Sequence, residues 1–197
     1  IKILTKMHWQ DEGYLLSKSN FNENSIIIEA FTFEHGKYTG IVYGGSSRKQ
    51  KKNFQAGNKI LLNWKSKNEN RTGYFNAELL QPVAPLFFED KKRTACILSA
   101  TSILRILLPE RETNKKIYQS FEKMLSDLKL DNWINLYIDW ELSLIKELGF
   151  EEDIKLNNKD NIKKALLFNR NLLMENFILP NKLSFPFFRK VLENYYN

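Results

Sequence analysis

The spacing of hydrophobic positions changes near residue 85. Before it, apolar residues recur every second position. In Ser25–Phe33, Ile26, Ile28 and Ala30 share one side, and Ile27, Glu29 and Phe31 share the other. Thr39, Ile41 and Tyr43 alternate with Tyr38, Gly40 and Val42. Ile60, Leu62 and Trp64 alternate with Leu61, Asn63 and Lys65, and Phe75, Ala77 and Leu79 with Tyr74, Asn76 and Glu78. Gly13–Lys18 adds a fifth stretch. Side chains alternate across a strand, so this period predicts five short strands. Phe21-Asn22-Glu23-Asn24 and His35-Gly36 are turn signals between them. Short strands with glycines at the bends predict a small closed β-barrel, because closure removes exposed edges. The pattern fits an OB-fold and an SH3-like barrel equally.

After Pro82 and Pro85 the period becomes helical. Lys91–Leu107 is rich in Ala, Leu and Ile and is closed by Pro109. Thr113 is placed to cap a helix with a stripe of Ile117, Tyr118, Phe121, Met124, Leu125 and Leu128. Asp131 is placed to cap a third, with Trp133, Leu136, Tyr137, Trp140, Leu144 and Leu148 on one face and Gly149 as its stop. Asn161–Phe177 and Phe187–Tyr196 complete the set. The expectation is an α+β chain of two domains: a small β-barrel over residues 1–82 and an all-α domain over 83–197. The connection Gln81–Pro85 is short and holds two prolines, which predicts stiffness.

Composition narrows the function classes. The chain has 197 residues, 43% hydrophobic and 13% aromatic, enough for a sizeable core. No apolar run approaches the roughly 18–20 residues that span a bilayer, and Ile1–Trp9 does not read as a secretory leader. The expected place is a soluble, cytoplasmic one, with no membrane partner. The single cysteine, Cys96, excludes an internal disulfide and a multi-cysteine metal site. His8 and His35 are the only histidines. There is no phosphate-binding glycine loop, no G-x-S-x-G and no metal-ligand spacing. The expectation is a non-enzyme without cofactor or metal.

Charge then supplies the sharper signal. The net charge is +7, and residues 1–85 carry 12 Lys/Arg against 7 Asp/Glu. Arg48, Lys49, Lys51 and Lys52 crowd a loop bounded by Gly44-Gly45 and Gly57, with no acid from Arg48 to Glu69. Lys65, Lys67 and Arg71 follow on the next strand and turn, and Lys37 precedes the loop. Such a cluster suits repeating phosphates, and Tyr43 or Trp64 offers a ring on which a base can stack. Trp64 shares a face with Ile60 and Leu62, which assigns it to the core. The loop itself is expected to move on its glycines and to add little to that core. The candidate nucleic-acid-binding set is therefore Lys37, Tyr43, Arg48, Lys49, Lys51, Lys52, Lys65, Lys67 and Arg71.

Several stretches are similar to the RecO family of bacterial DNA repair proteins. Trp9-Gln10-Asp11-Glu12-Gly13-Tyr14-Leu15-Leu16 resembles its W-x-D-E-G start. Thr32-Phe33-Glu34-His35-Gly36-Lys37 and Gly44-Gly45-Ser46-Ser47-Arg48 resemble its T-x-E-x-G-R/K turn and its basic loop. Gln55-Ala56-Gly57-Asn58 resembles an L-Q-P-G-N turn, with Phe54 and Ala56 in place of Leu and Pro. Trp140 to Phe150 resembles a helix ending in L-G-F/Y, and Pro109-Glu110-Arg111-Glu112 is similar to a proteobacterial form. The resemblance implies an OB-fold followed by a helical domain. It also implies binding to single- and double-stranded DNA, annealing of complementary strands and, with RecR, help to RecA in displacing the single-strand-binding protein SSB, whose C-terminal tail is a further partner. Many relatives carry a four-cysteine zinc site after the L-G-F/Y helix end. Here Glu151–Asn161 has no cysteine, so the zinc module is expected to be lost or reduced. An RNA-binding OB module and a non-catalytic protein-interaction adaptor are the alternatives from the residues alone.

Overall fold

The computed structural model describes residues 7–47, 50, 52–67, 72–149 and 161–197. Among them run the strands β1 (Met7–Asn22), β2 (Ser25–Thr32), β3 (Gly36–Tyr43), β4 (Lys59–Ser66) and β5 (Gly73–Gln81). A short 3-10 turn, Ala84–Phe87, leads to the helices α1 (Lys91–Leu107), α2 (Lys115–Asp127), α3 (Trp133–Glu147), α4 (Ile162–Leu173) and α5 (Phe187–Asn194). The chain forms two compact units, one of residues 1–88 with 104–115, the other of 89–103 with 116–197. No helix among the described residues is long and apolar enough to cross a membrane.

The strands close into a barrel in the order β1-β2-β3-β5-β4. β1 serves two neighbours: Met7–Tyr14 pairs with β4 and Gly13–Asn22 with β2. All pairs are antiparallel except β3 with β5, whose register among the described residues is Gly40–Gly73 and Ile41–Tyr74. This is the OB-fold order, and it removes the SH3-like alternative. β1 is longer than the predicted Gly13–Lys18, because Gln10, Asp11 and Glu12 interrupt the apolar alternation while still pairing. Gly13 sits at the change of partner, where a Cβ would lie 2.7 Å from the Phe31 carbonyl oxygen.

The barrel core is Leu15, Ile26, Ile28, Ala30, Val42, Phe54, Ile60, Leu62, Trp64 and Phe75. Trp64 and Phe75 take the space at the β3–β5 closure. A Cβ on Gly40 would come within 2.5 Å of the Phe75 ring, and one on Gly73 within 2.2 Å of Trp64 Nε1. Trp9 stacks between His35, at 4.2 Å, and Trp64, at 5.6 Å. Asp11, buried below Trp9 in sequence, accepts the Glu34 amide at 2.7 Å and lies 2.9 Å from His35 Nδ1. The first and second family-like stretches thus fold against each other.

Residues 104–115 form a strap on the same unit. Arg111 N donates to Lys37 O at 2.8 Å, Thr113 Oγ1 donates to Glu34 O at 2.9 Å, and Arg105 pairs with Glu29 at 2.8 Å. Gly36 has φ of 75°, and a Cβ there would fall 2.1 Å from Glu112 O, so the turn and the strap both need glycine.

In the helical unit α2 follows its predicted stripe, whereas α3 departs from its own: Leu136 and Leu148 are only half-buried, and Ile134, Ile138, Leu142 and Ile145 join Trp133, Tyr137, Trp140 and Leu144 in the core. Ile117, Tyr118, Phe121, Met124 and Leu125 are the buried residues of α2. Gly149 ends α3 with φ of 106°. Two predicted caps differ: Thr113 serves the strap, and α3 opens at Asn132 with no side-chain cap bond, so Asp131 does not cap it. The predicted Asn161–Phe177 helix is regular only to Leu173 and widens into a π turn over Met174–Ile178. Arg189 of α5 is fully buried; its guanidinium donates to Glu141 Oε1 at 2.6 Å and Oε2 at 3.1 Å, and to Leu166 O at 2.8 Å. Tyr137 and Asn169 donate to the same Glu141 carboxylate, at 3.0 and 3.1 Å. One buried carboxylate therefore gathers groups from α3, α4 and α5.

Candidate nucleic-acid interface

The strap settles where Lys37 goes. Its side chain is buried, its ammonium donates to Arg105 O at 2.7 Å, and Glu110 lies 3.8 Å away. Thr32 Oγ1 donates to Gly36 O at 2.9 Å and Thr39 Oγ1 to Glu110 Oε1 at 3.2 Å. The Thr32–Lys37 stretch is therefore a seat for the strap, and Lys37 lies apart from the other candidates that the structure describes. The strap covers the outer side of β2 and β3 around Glu29 and Thr39.

The open part of the outer surface lies at the other end of β3. Ile41, Tyr74 and Lys65 are register partners in a row across β3, β5 and β4. Trp64 and Phe75, their sequence neighbours, point into the core, so alternation turns Lys65 and Tyr74 outward. Tyr43, two residues beyond Ile41, shares that face. Tyr43 is 64% exposed and Tyr74 41%. Their rings stack with centroids 5.2 Å apart and planes 20° from parallel. A hydrogen bond shared with Tyr74 raises the Tyr43 hydroxyl above its ordinary pKa. Lys65 is exposed beside Tyr74, and Lys67 is exposed one residue past the end of β4.

The glycine-bounded loop leaves directly from Tyr43. Gly44, with φ of 71°, donates to Asn24 O at 2.6 Å, and Ser46 Oγ donates to Glu23 O at 2.7 Å. The loop's first residues are thus tied to the β1–β2 turn. Lys52 is exposed in a turn of the loop. Phe54 is 1% exposed and plugs the barrel core, which corrects the expectation that the loop adds little to it. Asn58 is fully buried; its Oδ1 accepts Val83 N at 2.9 Å and Ala84 N at 3.0 Å, and its Nδ2 donates to Asn53 O at 3.0 Å. Arg48, Lys49, Lys51 and Arg71 lie outside the described residues.

Tyr74 is the residue that sequence reasoning did not single out. Its signal was present: it holds the opposite phase to Phe75, Ala77 and Leu79. What the sequence lacked was the β3–β5 pairing that sets it beside Tyr43. Together the exposed rings and lysines can hold a base by its face and a backbone by its phosphates, the two contacts of single-strand-binding barrels.

A four-cysteine zinc site does not fit this chain, which has one cysteine. Cys96 is fully buried in α1, and burial, followed by the nearby Glu141 charge, pushes its thiol well above its ordinary range. Among the described residues no group of three or more His, Cys, Asp and Glu side chains could hold a metal ion. The segment 150–160, where the reduced zinc module was expected, lies outside the described residues and contains neither Cys nor His.

Comparison with known proteins agrees with this geometry. The family profile described as Recombination protein O N terminal matches residues 7–83, and that described as Recombination protein O C terminal matches 89–155. A DNA repair protein RecO of Cereibacter sphaeroides is 36% identical over 148 residues, 75% of this chain and 62% of the relative. The DNA repair protein RecO of Hyphomonas neptunium is 35% identical over 151 residues, 75% of this chain and 62% of the relative. That of Roseobacter denitrificans is 34% identical over 145 residues, covering 73% and 60%. The chain thus spans about three fifths of the length of the curated relatives it matches. With both profiles in order on an OB-fold barrel followed by helices, this chain belongs to the RecO family.

Proposed function

We propose that this protein is a DNA-binding recombination mediator and strand-annealing protein of recombinational repair. It holds single- and double-stranded DNA on the barrel, and with RecR and the SSB tail as partners it assists RecA loading on SSB-coated single strands. The observation that carries the proposal is the open outer surface of the barrel, where exposed lysines flank an exposed tyrosine pair in a chain of this family. Membership and the printed name of the relatives, DNA repair protein RecO, support the repair role. Arg48, Lys49, Lys51, Lys52, Lys65, Lys67 and Arg71 contact phosphate in this proposal, and Tyr43 meets a base. Phosphate contacts carry little sequence information, which suits a protein acting at any gap.

No bond is made or broken in this role. Annealing needs only that two strands be held with their charge neutralised, and counterion release supplies the favourable free energy. The test is an annealing assay on complementary strands coated with SSB, followed by fluorescence. The protein is expected to speed pairing well above the spontaneous rate. Pairing at the spontaneous rate, or tighter binding to RNA than to DNA of equal length, would overturn the proposal.

A further inference from the structure

We infer that Tyr43 and Tyr74 form a base-stacking platform that makes the barrel discriminate unpaired from paired DNA. The inference rests on the DNA-binding reading above and adds to it a second residue and a strand preference. The other large aromatics of β3, β4 and β5 are packed inward: Trp64 and Phe75 are 1% and 4% exposed, and Tyr38 packs against the core. Only this pair stands outward on those strands among the described residues, at 64% and 41% exposure.

The geometry favours a flat partner. The rings are held nearly parallel, 20° apart with centroids at 5.2 Å, so their outer faces are preset for a third ring. Little side-chain freedom is left to lose when that ring arrives. The strands beneath the pair approach through Gly40 and Gly73, which fixes the spacing of β3 and β5 at this point. Lys65, the register partner of Tyr74, is exposed on the same face. A cation beside a stacking surface matches a nucleotide, whose phosphate lies next to its base. In a duplex both faces of each base are covered by neighbours, so only the phosphate contacts remain. An unpaired strand gains both, and one stacked base contributes a factor of about 5 to 150 in affinity.

The test compares oligothymidylate with a duplex of equal length, using the full chain. Tyr43→Ala with Tyr74→Ala is expected to weaken single-strand binding about ten-fold or more and duplex binding less than about two-fold. Tyr43→Phe with Tyr74→Phe should retain single-strand affinity, since stacking needs the ring and not the hydroxyl. Equal loss on both DNAs, or loss on neither, overturns the inference. The wild-type protein provides a measurement free of folding effects: a strand substituted with iodouracil should photocrosslink to Tyr43 or Tyr74, and crosslinks mapping only elsewhere would overturn it. A variant with Arg48, Lys49, Lys51 and Lys52 all changed to alanine separates the two ideas. If it weakens both DNAs while the tyrosine variants weaken neither, only the platform fails. If the wild type binds neither DNA, the DNA-binding reading fails and the platform with it.

Discussion

Single residues in this protein explain why its family-like stretches have the letters they have. Asp11 ties down the turn at Glu34 and His35, Gly36 admits the strap, and Glu141 balances a fully buried guanidinium. For Arg189, burial works against the charged form, but the carboxylates of Glu141 and Glu193 outweigh it and hold the guanidinium charged. Removing one member of such a pair leaves an uncompensated buried charge, which costs about 3–5 kcal/mol. Arg189→Met is therefore expected to lower the urea midpoint sharply, whereas Lys190→Met on the exposed side of the same helix should shift it little. Equal effects would show that the Glu141 cluster holds nothing together. The turn at His35-Gly36 was readable beforehand, but the buried ion pair was not. Glu141 and Arg189 lie 48 residues apart, and no local pattern links them.

At the scale of elements, the alternating pattern located β2 to β5 because each has one inward face of apolar residues. It missed the first half of β1, where Asp11 and Glu12 serve a turn and an ion pair with Lys59 in place of the core. It also misjudged the loop after β3. A basic, glycine-bounded sequence reads as adding little to the core, but Phe54 fills part of it, and Asn58 just past the loop is fully buried. Asn58→Ala removes the acceptor of two backbone amides of the segment leading to the helices. A buried amide left unpaired costs about 1–3 kcal/mol, so the variant should unfold at lower denaturant. Amide hydrogen exchange should also quicken at Val83 and Ala84. Unchanged exchange there would mean that the connection is held by other groups. Lys37 shows what pattern reading does not see: beside the basic loop in sequence, its ammonium donates to Arg105 O in the strap.

For the whole molecule, the change of period near residue 85 marked the passage from barrel to helices, because periods of two and of 3.6 are distinct. The OB order, by contrast, depends on which edges meet, and periodicity carries no such information. Composition also bears on metal content. With one cysteine, buried, and two histidines, the purified protein is expected to hold no stoichiometric zinc; one tightly bound zinc per chain by elemental analysis would contradict this. The candidate site was legible in part, through Tyr43 and the lysines, while the pairing that completes it with Tyr74 required the closed barrel.

The central claim is that the barrel surface beginning at Tyr43 and Gly44 holds DNA through its phosphates. The most direct measurement is the salt dependence of duplex binding for the wild type and for the variant with Arg48, Lys49, Lys51 and Lys52 changed to alanine. Each neutralised phosphate contributes roughly 0.9 to the slope of log affinity against log salt, so the slope should shrink by about 3–4 units. Affinity should fall alike for all sequences, and circular dichroism should stay unchanged, since Phe54 and Asn58 are untouched. A folded quadruple variant with the wild-type slope would contradict the account and place the DNA elsewhere on the chain.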